Sequence, residues 1–430
     1  MTPRYNRAAP AAIALLSPSL KSLLAAACAT ALVAAVGCGE EQSRGGTVPG
    51  DTLTIFSSLP LQGPRADQSK SIVNAQKLAL RDSGGRVGDH KVNFASADDS
   101  TAGGDRVGWD PDKTAENARK AVENTRTIAY IGELDSGATA ISLPITNEAG
   151  FAHVSPGSTA VGLTKFLPGA EKGEPDKFYP SGTRSFARVV PADDVQASAA
   201  AGWTRSLGAR RVFLLGDKTL EGDGLVELYR AVAPEVGLRI VGADRMDPRS
   251  DGYRDLAADV ARTRPDAIYF GGAETSNALR LWRDLDDALP EAHLMGSQNL
   301  LVPSFYERLG SAERRTYITS VAQDTSQLPP AGRRFVRDYT REFGARPDPL
   351  AVYGYAAMSL LLDMLERAGD EAAERERVVG ELLETKNFNS VVGRFSIDDN
   401  GDTSLERIAG YRVRNGRLVF AVPLRGRRDG

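Results

Sequence analysis

The chain has 430 residues, 53 Lys+Arg against 56 Asp+Glu, a formal net charge of −3 and 41% hydrophobic residues. That length exceeds one typical domain and suffices for two lobes, each with its own core, while the near-balance of charge leaves no basic field to hold nucleic acid. Both cysteines, Cys28 and Cys38, fall near the N-terminus, so no disulfide staples the rest.

Arg4, Arg7 and Lys21 precede an uncharged apolar run from Leu23 to Val36. This is the pattern of an export signal, too short for a spanning helix, which takes about 20 apolar residues. The run closes on Ala35-Val36-Gly37-Cys38. It resembles the lipobox of bacterial lipoproteins, with Ala where Leu is usual. Residues 1–37 then form a signal peptide, and Cys38 becomes the lipidated first residue of an exported chain anchored to the outer face of the cytoplasmic membrane. Cleavage by an ordinary peptidase between Ala27 and Gly37 is the alternative. Residues 38–50, with Ser43, Gly45, Gly46, Pro49 and Gly50, read as a flexible tether.

Beyond the tether, short β-type runs alternate with helical periodicity, which signals βαβ units and parallel sheets. Strands are predicted over Leu53–Ser57, Val92–Ser96, Ile128–Ile131 and Phe151–Val154. A helix over Gln68–Arg81 places Ile72, Ala75 and Ala79 on one face and ends at Gly84-Gly85. A charged, Gly-rich insertion at Thr101–Asp112 delays the helix Ala115–Asn124, and Pro156–Pro191 reads as a second insertion with an exposed middle. Further strands follow at Val212–Leu215, Arg239–Val241, Ala267–Phe270 and His293–Met295, spaced for a crossover helix each time. Those helices carry the apolar stripes Leu225, Leu228 and Val232, then Leu256 and Val260, then Ala278, Leu281, Trp282 and Leu285. Helical patterns around Phe335, Tyr339 and Phe343 and over Tyr353–Arg367 precede β-type Val391–Ile397, Ile408–Val413 and Leu418–Val422. Two successive parallel α/β halves result, completed by these late elements.

Catalytic signatures are weak. His153-Val154-Ser155-Pro156-Gly157 has the outline of a nucleophile elbow, but the residue after the nucleophile must offer a backbone N–H, and Pro156 has none. His90, His153 and His293 lie far apart with no metal-ligand spacing, and Asp98-Asp99 at a strand end reads as a turn former rather than a metal site. No catalytic residue, metal or cofactor is expected. Hydroxyl and small residues remain where strands hand over to helices, at Ser136-Gly137-Ala138-Thr139 and Ser155-Pro156-Gly157-Ser158-Thr159. N–H groups and hydroxyls at such places suit a carboxylate, and ordinary helix caps use the same residue types.

Several motifs fall in order: Gly63-Pro64, Gly132-x-x-x-Ser136, His153 to Thr159, Arg188-x-x-Pro191-x-Asp193-x-x-Gln196, Asp217-Lys218-x-x-x-Gly222-x-Gly224, Pro265-Asp266-x-x-x-Phe270-Gly271-Gly272 and Gly393-x-Phe395-x-x-Asp398-x-Asn400-Gly401-Asp402. In this order the chain resembles the leucine/isoleucine/valine-binding protein family of type I periplasmic binding proteins. The resemblance implies an α/β fold of two Rossmann-like lobes with parallel central sheets joined by a three-crossover hinge. Residues 51–191 plus 322–392 would form one lobe and 192–321 plus 393–430 the other, with crossovers near Val190–Asp193, Ser320–Gln323 and Val391–Arg394. It also implies a monomer that is not an enzyme, binds a small amino acid or analogue, and serves the permease subunits of an ABC importer. A surface sensor signalling through a membrane receptor is the alternative.

The family's α-carboxylate handle corresponds to Ser136, Gly157 and Thr159, and its ammonium acceptor to Asp193, with Asp194 the second choice. The pocket positions depart from the family pattern. Gln68, Glu221 and Ala273 stand where aromatics are common, and Gln298 stands at an acidic position. A pocket for Leu or Val is therefore not expected, and Arg65, Gln68 and Glu221 either face a polar ligand side chain or are solvated.

Overall fold

The computed structural model describes residues 46–100 and 108–428. The signal segment, Cys38 and most of the Thr101–Asp112 insertion lie outside the described residues. The first sheet is built from β1 (Thr52–Leu59), β2 (Arg86–Val87), β3 (His90–Asp98), β4 (Thr127–Ile131), β5 (Ala152–Ser155) and β6 (Phe186–Arg188), with helices α1 (Ala66–Asp82), α2 (Pro111–Glu123) and α3 (Ser136–Glu148) between them. Its order is β2-β3-β1-β4-β5-β6, parallel except at β2.

The chain then crosses to α4 (Asp193–Ser206), β7 (Arg211–Gly216), α5 (Leu220–Val232), β8 (Arg239–Arg245), α6 (Arg254–Arg262), β9 (Ala267–Phe270), α7 (Ala278–Ala288), β10 (His293–Gly296), α8 (Pro303–Tyr306) and β11 (Thr316–Ser320). Next come α9 (Pro330–Phe343), α10 (Ala351–Ala368), α11 (Arg375–Leu383), a hairpin of β12 (Phe388–Ser390) and β13 (Gly393–Phe395), and finally β14 (Arg407–Arg414) and β15 (Arg417–Arg425). The second sheet runs β15-β14-β11-β10-β9-β7-β8, parallel from β11 to β8 and antiparallel at β14 and β15.

Side-chain alternation along these strands accounts for the layers. In the second sheet Phe213, Leu215, Ile268, Phe270, Leu294 and Ile318 enter one core, while Val212, Leu214, Ala267, Tyr269, Met295 and Tyr317 enter the core on the opposite face. Full burial stabilises each of the large aliphatic and Phe side chains among them by about 1.5–3 kcal/mol. The late helices return to the first sheet. Met358, Leu361 and Leu365 of α10 share one core with Ile72, Ala75 and Ala79 of α1 and with Leu53, Ile55 and Ile128.

The structure adds elements that the sequence pattern does not announce. β11 reads Thr-Tyr-Ile-Thr-Ser, yet all five residues are buried because β10 and β14 flank them. β6 carries a fully buried Arg188, and a charged residue in a short run reads as surface. Helix α2 starts at Pro111 rather than Ala115, since Asp110 accepts the Lys113 N–H (2.9 Å) and proline suits the first helical position. The middle of Pro156–Pro191 is exposed at Phe166, Glu171, Lys172, Asp176, Pro180 and Gly182, yet it is anchored: Leu163, Phe178, Tyr179 and Phe186 form a small core with Leu143. The tether also ends early. Val48 is buried and donates its N–H to the Ala373 carbonyl (2.8 Å), beside a bridge from Thr47 to Glu374.

At the second crossing the Tyr353 and Tyr411 hydroxyls donate to the carbonyls of Val321 (2.6 Å) and Ala322 (2.9 Å). Val391–Arg394, expected as the third crossing, lies instead in the β12–β13 hairpin, and the chain joins the second sheet only at Arg407. Among the described residues no helix is long and apolar enough to cross a membrane.

Candidate functional site

Strand order reverses between β1 and β4 in the first sheet and between β7 and β9 in the second. The crevice beyond the carboxyl ends at such a point is where open α/β sheets bind ligands. Asp135 and Ser136 follow β4, and Glu221 follows β7.

The loop after β5 is tightly held. Ser155 Oγ donates to the Glu133 carbonyl (2.8 Å) and accepts the N–H groups of Gly157 (3.1 Å) and Ser158 (2.8 Å). Ser136 Oγ accepts those of Thr159 and Ala160, both at 3.1 Å. Only glycine fits at 157, because a Cβ there would lie 2.6 Å from the Leu134 carbonyl oxygen. Ser136, Gly157 and Thr159 are therefore brought together, with the N–H groups of residues 157–160 already bonded inside the protein.

From below, Arg188 Nη1 donates to the carbonyls of Ser158 (3.1 Å) and Ala160 (3.0 Å), and Nη2 donates to Thr164 Oγ1 (2.8 Å). Its Nε lies 2.9 Å from Asp402 Oδ1. Burial alone would raise the Asp402 carboxyl, but Arg188 and Lys165 outweigh it and hold Asp402 below the usual carboxylate range.

A second network joins residues of the two lobes. Thr159 Oγ1 donates to Glu221 Oε1 (3.2 Å), which also accepts Asn299 Nδ2 (2.7 Å). Arg65 Nη2 reaches Asn299 Oδ1 (3.2 Å), and Nη1 lies 3.5 Å from Asp135 Oδ1. Gln298 donates through Nε2 to Thr159 Oγ1 (3.3 Å) and accepts the Val321 N–H (3.3 Å). Glu221 and Arg65 are thus engaged across the lobes rather than solvated.

Asp193, the first residue of α4, is 1% exposed and gives its backbone N–H to the Thr159 carbonyl (2.9 Å). Among the described residues neither oxygen of its carboxylate has a hydrogen-bond partner. Burial first, and then the facing Glu221 carboxylate, push the Asp193 carboxyl well above its ordinary range, against the pull of Thr159 and Arg188. Burial also raises Glu221 and Asp135.

Two predicted positions make no hydrogen bond to this network. Gln68 lines a cavity of ≈ 680 Å³ beside it, shared with Gln298, Tyr306, Ser320 and Asp348. Burial lifts the Asp348 carboxyl to about 6. Ala273 gives its N–H to Asp217 Oδ2 (2.9 Å) in a separate cluster with Ser276. The sequence reading missed Asp135 and Asn299. Each directly neighbours a residue it did select, and that adjacency was the only local signal. Asp98 and Asp99, alike in the sequence as turn formers, part company in the fold. Asp98 is a turn former, accepting from Leu61 N–H (2.8 Å) and Ser100 N–H (3.0 Å). Asp99 is instead fully buried against Glu133, which burial raises to about 7.

His153 does not serve Ser155. Its Nε2–H donates to the Gly132 carbonyl (2.8 Å), so Nδ1 accepts from the Thr146 hydroxyl (2.9 Å). Burial lowers its pKa to about 4. The unfolded chain, with His near 6.5, binds the proton first, so this contribution is present above about pH 6.5 and is lost as pH falls toward 4. The expected loss is about 3 kcal/mol. Urea unfolding should show it in the wild type and not in His153→Gln. Parallel pH profiles for the two proteins would refute it.

Residues 52–417 match the Periplasmic binding protein family. The Leu/Ile/Val-binding protein BraC3 of Rhizobium johnstonii is 26% identical over 377 residues, covering 86% of this chain and 94% of that protein. The solved leucine binding protein LivK of Thermotoga maritima superposes with a TM-score of 0.74 at 23% identity, over 87% of this chain and 99% of that one. A solute binding protein of an ABC transporter from R. palustris, in complex with benzoate, gives 0.68 at 19% identity, over 88% and 98%. With its two parallel-centred lobes and the polar network between them, the chain belongs to the periplasmic binding protein family, in its leucine/isoleucine/valine-binding group, whose members bind solutes rather than transform them.

Proposed function

We propose that the protein captures a small amino acid or amino-acid-like solute between its lobes and delivers it to the permease of an ABC importer. The observation that carries this reading is Asp193, a buried carboxylate without a hydrogen-bond partner among the described residues, at the meeting of the two lobes. Leaving such a group unsatisfied is costly, and a ligand ammonium supplies the missing donor. The polar residues around it, Arg65, Glu221, Gln298 and Asn299, do not suit a leucine side chain. A thermal-shift screen of the full chain with amino acids, amides and small organic acids tests the proposal. A solute at 100 times its Kd adds about 2.7 kcal/mol to stability, so a rise of several degrees is expected. No rise with any amino acid or amide would sink the reading.

The same proposal places acyl chains on Cys38, within the lipobox-like Ala35-Val36-Gly37-Cys38. More than one chain is needed for durable anchoring, since a single one binds membranes only marginally. Cells fed labelled palmitate should label the wild type and not Cys38→Ser. Equal labelling would exclude Cys38 as the anchor.

A further inference from the structure

We infer that the captured solute carries two cationic nitrogen centres, one received by Asp193 and the other by the Glu221 and Asp135 carboxylates. This rests on the capture reading above and specifies its substrate class. The first support is the balance of donors and acceptors. A ligand carboxylate would call on the N–H groups of Gly157, Ser158, Thr159 and Ala160 and on the Thr159 hydroxyl. The four N–H groups are committed to Ser155 and Ser136, and the hydroxyl to Glu221. Acceptors are in surplus. Among the described residues both oxygens of Asp193 and Oδ2 of Asp135 are buried without a partner.

The second support is charge. Asp135 and Glu221 face one guanidinium, that of Arg65, already engaged by Asp135 and Asn299, while Asp193 faces Glu221 and has only Arg188 behind it among the described residues. Arg188 is paired with Asp402 behind the loop. A zwitterion such as leucine would bring one ammonium for Asp193 and set its carboxylate toward the Glu221 carboxylate that Thr159 already holds. Like charges so placed repel, and buried carboxylates that outnumber their cations are costly. A second cationic nitrogen turns that repulsion into a charge-assisted hydrogen bond. Basic amino acids and small diamines share this chemistry.

Calorimetry on the detergent-solubilised full chain at pH 7.5 would compare L-lysine, L-arginine, putrescine, agmatine, L-leucine and benzoate. At least one ligand with two cationic nitrogens should bind about 100-fold more tightly than leucine, and Glu221→Gln should shrink that preference about 10-fold or more. A preference for lysine over putrescine, or the reverse, supports the inference and tells whether a carboxylate is also recognised. Leucine or benzoate binding as tightly as any cation overturns the inference and leaves solute capture standing. Binding by none of the six, in protein that still melts cooperatively, overturns it together with the amino-acid reading.

Discussion

Asp193→Asn should weaken binding of the captured solute at least about 100-fold and at the same time stabilise the ligand-free protein. The first effect follows from removing one partner of a buried charge pair, which costs about 3–5 kcal/mol. The second follows from the lack of a hydrogen-bond partner for the Asp193 carboxylate among the described residues. A neutral amide of the same shape is less costly to bury than an ionised carboxylate, and it is no longer repelled by the facing Glu221 carboxylate, a relief of about 1–3 kcal/mol. Its sign with pH is fixed by the raised folded-state pKa, set by burial and by Glu221 and Asp194 against Thr159 and Arg188. The native state then holds this proton above the pH at which the unfolded chain releases it, so the stability contributed by Asp193 falls as pH rises above about 4. The gain in Asp193→Asn is therefore small near pH 4 and larger at pH 8. Calorimetry and urea unfolding at both pH values would check this. Wild-type affinity, or a destabilised variant at pH 8, would count against the assignment.

Arg188→Met should cost about 3–5 kcal/mol of stability. The side chain is fully buried, and its loss leaves Asp402, 3% exposed, with Lys165 at 3.3 Å as its remaining counter-ion among the described residues. It also frees the carbonyls of Ser158 and Ala160, so the loop bearing Thr159 loses its lower support. The Asp402 carboxyl is depressed in the folded protein. Its contribution is therefore present above about pH 4 and lost as pH falls through the folded value. The gap between wild type and Arg188→Met should then narrow in strong acid. A second change, Asp402→Leu on the Arg188→Met background, should recover part of the loss, since removing both members of a buried pair is far less costly than removing one. Urea midpoints of the single and double variants provide the measurement. A double variant no more stable than Arg188→Met would show that the ion pair is not what the substitution broke.

The two variants also separate roles that look alike in the sequence. Arg188 and Asp193 belong to one motif five residues apart, yet the first holds the loop from below and the second stands unpaired at its front. Only packing distinguishes them.

Local periodicity determined much of this protein by itself. Val212–Leu215, Ala267–Phe270 and His293–Met295 are legible as strands because compact apolar runs with helical patterns between them point to covered parallel strands. Helix α1 is legible because Ile72, Ala75 and Ala79 recur at helical spacing. The hydroxyl-rich turns at Ser136 and Ser155 to Thr159 are equally local, since strand-to-helix turns require capping residues. The tertiary structure alone decided which polar residues lose water and what faces them. Thr159 meets Glu221 from the other lobe, Arg65 meets Asn299, Arg188 meets Asp402, and the Asp193 carboxylate has no hydrogen-bond partner among the described residues. Each of these facts depends on segments 62 or more residues apart, or on the absence of one. The cost of a buried charge is set by what the fold brings beside it, and no window of neighbouring residues contains that information.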